Sequence, residues 1–467
     1  MDAFAALLEA GDKEGAIKWI DAEFEKDMHS DAAAFCFANL MVSSDHPGPA
    51  HFILRHLASK YPKRPQIWQN LGRVYEDLDK PVEAIASLKK ALAINPDLPG
   101  LKESLSSAYA LAHKWQDTEK WARLSLKEGP TVQAAVNLGF ALLSTGQYAE
   151  GWDQYNVGIG EMLWREHQDY GLPDWKGEKD AKVLFYAEQG LGDQLAFMSC
   201  VPDAGDLVAG LNVAPKLAGL IGDTFDCPVF GDQFNHDCRW VDSLGATHQG
   251  AMSMLPQHFR RDTFPGTPYL KTDPAKVLQW RALLDSLPGK LKIGIGWTGG
   301  SPKSAGYRHR NMQASDLMMD LDADYISLEY KKGDTPDGVH SFGWGTQGDL
   351  DHTAALVSCL DAVVCVPTTA YHLAGALGVP AYVLTPDRPH FHEKLPWWSS
   401  VQFLPRNKAS MDSIQRELNE QNFHRRGRTP AHRLHRPSVE HCAPGEQAGG
   451  NHPAFPFATA YHTARAY

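Results

Sequence analysis

The chain has 467 residues, 43% of them hydrophobic and 22% charged, with a formal net charge of −11. That balance excludes a fibrous or wholly disordered polymer, and the negative charge opposes general binding to nucleic acid. Seven cysteines, odd in number and never in a Cys-x-x-Cys pair, point to a reducing cytoplasm rather than a disulfide framework or a structural zinc. The acidic opening MDAFAALLEAGDKEG lacks the basic-then-apolar layout of a signal peptide, and no apolar run approaches the ~20 residues that cross a bilayer. The expectation is a cytoplasmic protein with no membrane span.

The first third reads as a repeat array. Residues 65–98 place Trp68, Leu71, Gly72, Tyr75, Ala84, Leu88, Ala91 and Pro96 at the offsets of the tetratricopeptide pattern, with Leu88 where Phe is usual. One period earlier come Ala34, Phe37, Ala38, Met41, Ala50, Leu54, Leu57 and Pro62. One period later come Leu105, Tyr109, Ala122 and Pro130. A fourth copy, shifted by a residue, carries Leu138, Gly139, Leu142, Gly151 and Tyr155, and the N-terminus fits a partial copy through Ala16 and Ile20. Each unit is a helix pair that buries its apolar face only by stacking on neighbours.

The pattern changes after about Gly160. GLPDWKGEKD (171–180) reads as a linker, and short β-branched runs then alternate with helical stretches: KVLFYA, KIGIGW, ADYISL, DAVVCV and AYVLTP. LPGK (287–290) separates two such α/β blocks. The expected organisation is an α solenoid over 1–165, a linker over 166–181, α/β blocks over 182–287 and 288–420, and a tail over 421–467. That tail holds six Arg and no Lys, with five Pro and no amphipathic period, and reads as disordered. Its histidines lack metal-ligand spacing.

Three segments could carry chemistry. In FYAEQGLGDQLAF (185–197) a strand leads through Gly190 and Gly192 into a helix beginning near Asp193. The glycines let backbone approach a ligand. Leu195 at the third glycine position rules out a dinucleotide fingerprint. Asp193 is either a helix cap or a carboxylate facing the ligand side of the sheet. In GIGWTGGSPKSAGYRHRN (294–311) a strand gives way to Thr298 and Gly299, with Lys303, Arg308 and Arg310 behind them. Those cations suit a diphosphate, or form a solvated loop surface. In LDAVVCVPTTAYHLAGALGVPAYVLTP (360–386) a strand, a turn with Thr368 and Thr369, and a small-residue helix from Ala370 form a βαβ unit. Its helix N-terminus is an anion cradle, or begins with an ordinary threonine cap.

Taken in order, YAEQGLGD, GWTGG, RHRN, ISLEYKKGD, DLDHTAALVSCLDAVVCVPTTAYHLAGALGVPAYVL and LPWWSSVQFLP resemble tetratricopeptide-repeat proteins with a heptosyltransferase-like glycosyltransferase module of GT-B fold. The resemblance covers about 1–420. It implies two Rossmann-like halves, an acceptor side (182–287) and a nucleotide-sugar side (288–420). It further implies inverting, metal-independent transfer from a nucleoside-diphosphate sugar, used as co-substrate without another cofactor, to a protein or glycan acceptor engaged by the repeats. On this resemblance Asp193 is the general base, and Gly190, Gly192, Thr298, Gly299, Lys303, Arg308, Arg310, Thr368, Thr369 and His372 bind the nucleotide sugar, the threonine pair and His372 against its diphosphate. Glu329 or Tyr330 lies near the nucleoside. The chain departs from many relatives at Pro367 and His352, where Asp is common, and at bulky Tyr371. Pro367 removes a carboxylate and a backbone N–H. A scaffold with an inactive module is therefore the alternative expectation; a nucleotide-sugar epimerase is a third, which leaves the repeats without a purpose.

Overall fold

The computed structural model describes residues 47–162, 165–232, 240–299, 310–329, 335–342, 350–387 and 395–426, with isolated positions 12, 15, 18, 22 and 238. The N-terminal partial repeat (Ala16, Ile20), the repeat positions Ala34 to Met41, and the site candidates Lys303, Arg308 and Tyr330 lie outside them. One compact unit runs from Met1 to Asn419 and a second from Glu420 to Tyr467. In the second, residues 420–426 are helical, at the end of a helix spanning Lys408–Arg426. The expected tail boundary at 421 thus falls inside a helix, because good helix formers (Glu417, Leu418, Glu420) carry it past that point. Residues 427–467 lie outside the described residues.

Among the described residues seven helices follow one another in the repeat region: α1 (Pro47–Lys60), α2 (Pro65–Asp77), α3 (Pro81–Ile94), α4 (Leu101–Leu111), α5 (Trp115–Glu128), α6 (Val132–Ser144) and α7 (Tyr148–Asn156). Proline opens α2 and α3, where its fixed φ suits the first turn and its missing N–H leaves no bond unmade. The signature residues Leu71, Ala84, Leu88 and Ala91 are buried, and each helix packs on the next. A Cβ on Gly139 would lie 2.6 Å from the backbone nitrogen of Tyr155, so α7 approaches α6 at a distance that only glycine permits. Arg123 ties α5 to α7 through two 2.8 Å bonds to the Glu150 carboxylate.

Two all-parallel sheets follow among the described residues. The first contains β1 (Val183–Tyr186), β2 (Val208–Asn212), β3 (Val229–Phe230) and β4 (His248–Ala251) in the order β3-β2-β1-β4. Its helices include α8 (Leu191–Met198) and α9 (Met254–Phe259). After α10 (Pro274–Asp285) comes the second sheet: β5 (Leu291–Gly296), β6 (Ala323–Ser327), β7 (Val339–His340), β8 (Ala362–Cys365), β9 (Ala381–Thr385) and β10 (Val401–Pro405). Its order is β10-β9-β8-β5-β6-β7. α11 (Leu350–Ser358) and α12 (Thr369–Leu377) cover it, and the Lys408–Arg426 helix, α13, ends it. β1, β5, β8 and β9 are buried at every position, as central parallel strands covered on both faces must be. No helix among the described residues is long and apolar enough to cross a membrane.

The segment 166–181 has neither helix nor strand, yet it is strapped along β4. Trp175 donates its backbone N–H to Gln249 O at 2.7 Å, and Gln249 returns a bond to Pro173 O at 2.9 Å. Tyr170 and Trp175 bury their rings beside it, Trp175 edge-on to Phe185. α7 lies against the first sheet. Asp153 grips Arg261 through two 2.9 Å bonds, Asn156 Nδ2 donates to Ser253 O at 3.0 Å, and Trp152 forms a ring cluster with Phe197 and Trp397.

Candidate active site

Each sheet has one place where successive connections run in opposite directions, and such a switch point opens a crevice at the carboxyl ends of its strands. In the first sheet it lies between β1 and β4; in the second, between β5 and β8. The three motifs singled out in the sequence emerge there: Gly190–Asp193 after β1, Trp297–Gly299 after β5, and Pro367–His372 after β8. α8 packs against α12. A Cβ on Gly192 would lie 2.8 Å from His372 Cδ2 and 3.2 Å from its Nε2, so the glycine loop of the first sheet rests on the imidazole of the second.

α8 begins at Leu191, with Gly190 as its N-cap, two residues before the expected start. Asp193 therefore stands at the third helical position, where a carboxylate reaches back to the N-terminal amides. It does so, accepting from the Gly190 N–H and from its own. Even so, its pKa is pushed up to about 6. Desolvation is the largest cause, opposed by those amide bonds and by the positive charges of Arg310 and Arg165. The two readings of Asp193 are compatible: it caps its helix and has the basicity of a group that exchanges protons near neutrality.

In the second crevice Thr368 occupies the N-cap position of α12, but its side chain makes no capping hydrogen bond. Thr369 is the first helical residue, one position earlier than expected. Both are half-buried. His372 is 4% exposed, and its Nδ1 accepts from Trp398 Nε1 at 3.3 Å. A neutral imidazole that accepts at Nδ1 carries its proton on Nε2, the nitrogen on the Gly192 side. Tyr371 is buried against His372 and Phe403, so its bulk lies in the core beneath the cradle.

The loop after β5 is tied to a residue that follows the neighbouring strand β6. Glu329 Oε1 accepts from the N–H groups of Trp297 (2.7 Å) and Thr298 (2.8 Å), and its other oxygen accepts the Thr298 hydroxyl. Gly299 donates its N–H to Asn311 Oδ1 at 3.0 Å. A Cβ on Gly299 would sit 2.2 Å from the Pro367 carbonyl oxygen, so this glycine lets the two loops of the crevice touch. Thr298, Gly299 and Glu329 are brought together, but Thr298 and Glu329 serve each other and the Gly299 N–H serves Asn311. Arg310 is held by its backbone: Arg406 donates to the carbonyls of Arg310, Asn311 (3.4 Å) and Leu384 (3.1 Å). Its charge reaches Asp193. His352, on α11, sets its ring edge-on to Trp280, 6.5 Å between centroids.

Sequence reasoning gave Arg165, Glu188 and Trp398 no place at the site, and read Tyr155 only as a repeat position. Trp398 stood inside the LPWWSS motif without a role. Arg165 had no signal at all, being one charge in a polar stretch. Yet it is fully buried, in the crevice between β1 and β4. It donates to Tyr155 O (2.5 Å), Asn156 Oδ1 (2.8 Å), Ser253 Oγ (2.6 Å) and Glu188 Oε1 (3.4 Å). Among the described residues no group of three or more His, Cys, Asp or Glu side chains could hold a metal ion.

Comparison with known proteins identifies residues 65–98 as a tetratricopeptide repeat. Protein FlbA of Caulobacter vibrioides (strain ATCC 19089 / CIP 103742 / CB 15) is 23% identical over 397 residues, covering 75% of this chain and 65% of FlbA. The chain thus spans just under two thirds of that relative. Among solved structures, MamA is 18% identical with a TM-score of 0.27, covering 34% of this chain and 92% of MamA. TTC0263, a thermophilic TPR protein in Thermus thermophilus, is 19% identical with a TM-score of 0.26, covering 35% of this chain and 89% of its own.

Proposed function

We propose that this protein is an inverting glycosyltransferase of GT-B architecture, taking a sugar from a nucleoside-diphosphate sugar and giving it to a protein or glycan acceptor recruited by the repeats. The observation that carries this reading is the contact of Gly192 with His372, which brings the glycine loop that leads into Asp193 against α12. Asp193 would take the acceptor hydroxyl's proton as that oxygen attacks the anomeric carbon and the nucleoside diphosphate departs. The leaving charge would be met by the α12 amides, the hydroxyls of Thr368 and Thr369, His372 Nε2–H and Arg310, together with Lys303 and Arg308, which precede Arg310 in sequence. This set needs no metal to balance the diphosphate. Glu329 would act at one remove, holding Thr298 in place beside the cradle.

The test is calorimetry with a panel of nucleoside diphosphates, followed by turnover with the matching sugar nucleotides. Thr369→Val should weaken binding. Asp193→Asn should bind donor normally and lose ~10²–10⁴-fold in transfer. Because the base must be ionised, kcat/KM should fall as pH drops through about 6. A repeat scaffold with an inactive module is favoured by one observation: the Trp297 and Thr298 amides are already given to Glu329. Diphosphate binding without turnover of any sugar nucleotide would decide for that second reading.

A further inference from the structure

The repeat array has been given one task, recruiting an acceptor. Its last helix does something else as well. α7 ends at Asn156, and within ten residues the chain turns back to place Arg165 in the crevice of the first sheet. There the guanidinium joins three segments: the C-terminal end of α7 through Tyr155 O and Asn156 Oδ1, the second residue after β4 through Ser253 Oγ, and the second residue after β1 through Glu188 Oε1. Glu188 is 2% exposed, and its Oε1 also accepts from Gln189 Nε2 at 3.1 Å. From α7 the Tyr155 hydroxyl, fully buried beneath the Arg165 guanidinium, donates to Gln189 Oε1 at 2.8 Å. Gln194 closes the loop from the far side, donating to Gln189 O at 2.8 Å. The stretch from Glu188 to Asp193 is thus held by two side chains that belong to neither sheet.

We propose that Arg165 and Tyr155 are positioning residues for Asp193, so that the C-terminal end of the repeat array forms one wall of the candidate active site. The assignment rests on the proposed role of Asp193, although the placement of the loop does not. An arginine suits the task. Its planar fork satisfies four acceptors in fixed directions and keeps its charge at every relevant pH, whereas a lysine offers the charge without the fork. The groups whose charges act on or respond to Asp193 are Arg165 after α7, Tyr155 on α7 and Arg310 after β5; Glu188 after β1 bonds Arg165, and His372 on α12 lies against Gly192. Arg165 and Arg310 supply the positive field.

The experiment uses the full chain labelled with ¹³C at aspartate carboxyls, the Asp193 signal being identified by its loss in Asp193→Asn. Its titration is followed alongside amide hydrogen exchange at 188–193. In Arg165→Met the Asp193 midpoint should rise by about one unit, since a nearby cation favours the ionised acid. In Arg165→Lys the midpoint should stay near that of the parent, while exchange at 188–193 speeds up about tenfold. Tyr155→Phe should raise exchange in the same loop and leave β1 protected. An unmoved midpoint in folded Arg165→Met overturns the proposal. So does unchanged loop exchange in both Arg165→Lys and Tyr155→Phe, variants mild enough to decide the matter if Arg165→Met does not fold. These measurements need no turnover. Loss of the glycosyltransferase reading would leave them standing, and their failure would leave transfer by Asp193 intact.

Discussion

At the β1–β4 crevice the neutralising charge comes from outside the sheet: Arg165 arrives from the end of the repeat array and disappears from solvent. At the β5–β8 crevice it comes from within, where Glu329 at the end of β6 folds over the loop after the neighbouring strand β5. Both solutions satisfy backbone or side-chain groups stranded at strand ends, but they differ in reach. The first makes the geometry of the glycine loop depend on residues from another part of the chain. The second is local and would survive any movement of the repeats. A site assembled from both can have its base placed by the helical region and its anion cradle placed by the second sheet alone.

That contrast can be broken, starting with the largest effect. Arg165→Met leaves the Glu188 carboxylate buried beside no cation, and should destabilise folding by about 3–5 kcal/mol. Glu329→Gln keeps an acceptor oxygen on a half-buried side chain, and should cost only about 1 kcal/mol. Chemical denaturation of the two variants tests the difference; equal losses would erase the distinction between an imported charge and a local one.

Asp193 sharpens it next. Its pKa of about 6 lies above the ordinary carboxylate value of 3.8, so between those values the folded state holds a proton that the unfolded state has lost. Stability is therefore lost as pH rises from about 4 to about 6, and then levels off. Asp193→Asn should stabilise the protein by about 1–3 kcal/mol at pH 7 and by nothing near pH 4. The same substitution is expected to remove transfer. Melting temperatures across pH check the sign, and a loss of stability at pH 7 would contradict the strained environment assigned to Asp193.

The smallest effects separate two threonines with the same look in sequence. Thr298 gives its hydroxyl to Glu329, so Thr298→Val should lower stability by about 1 kcal/mol. Thr368 makes no capping bond, so Thr368→Val should stay within about 0.5 kcal/mol of the parent and instead weaken diphosphate binding. Thermal melts and calorimetry on the pair should show opposite orders of severity.

Much of the molecule was legible before any coordinates. Period-3.6 burial with small residues at fixed offsets marks the array, since Leu71, Ala84 and Leu88 can be buried only by stacking. Short β-branched runs mark the central strands, since β1, β5 and β8 are covered on both faces. The glycine loop with Asp193 and the threonine turn also stood out, because glycine and N-cap residues obey local rules. The 166–181 segment was harder. Its glycines, prolines and charges describe irregular backbone truthfully but say nothing of the strap that Tyr170, Trp175 and Gln249 make along β4.

What the sequence determined by itself is local: which segments are helix or strand, and which loops can approach an anion. Tertiary structure alone decided which distant groups share a crevice. Only there does Arg165 meet Glu188, Trp398 set the tautomer of His372, and Glu329 take the amides that a phosphate loop was expected to offer. The physical reason is that secondary structure and turns follow from interactions a few residues apart, which a single sequence displays. The worth of a charge depends on what surrounds it once water is gone, and those surroundings come from residues tens to hundreds of positions away.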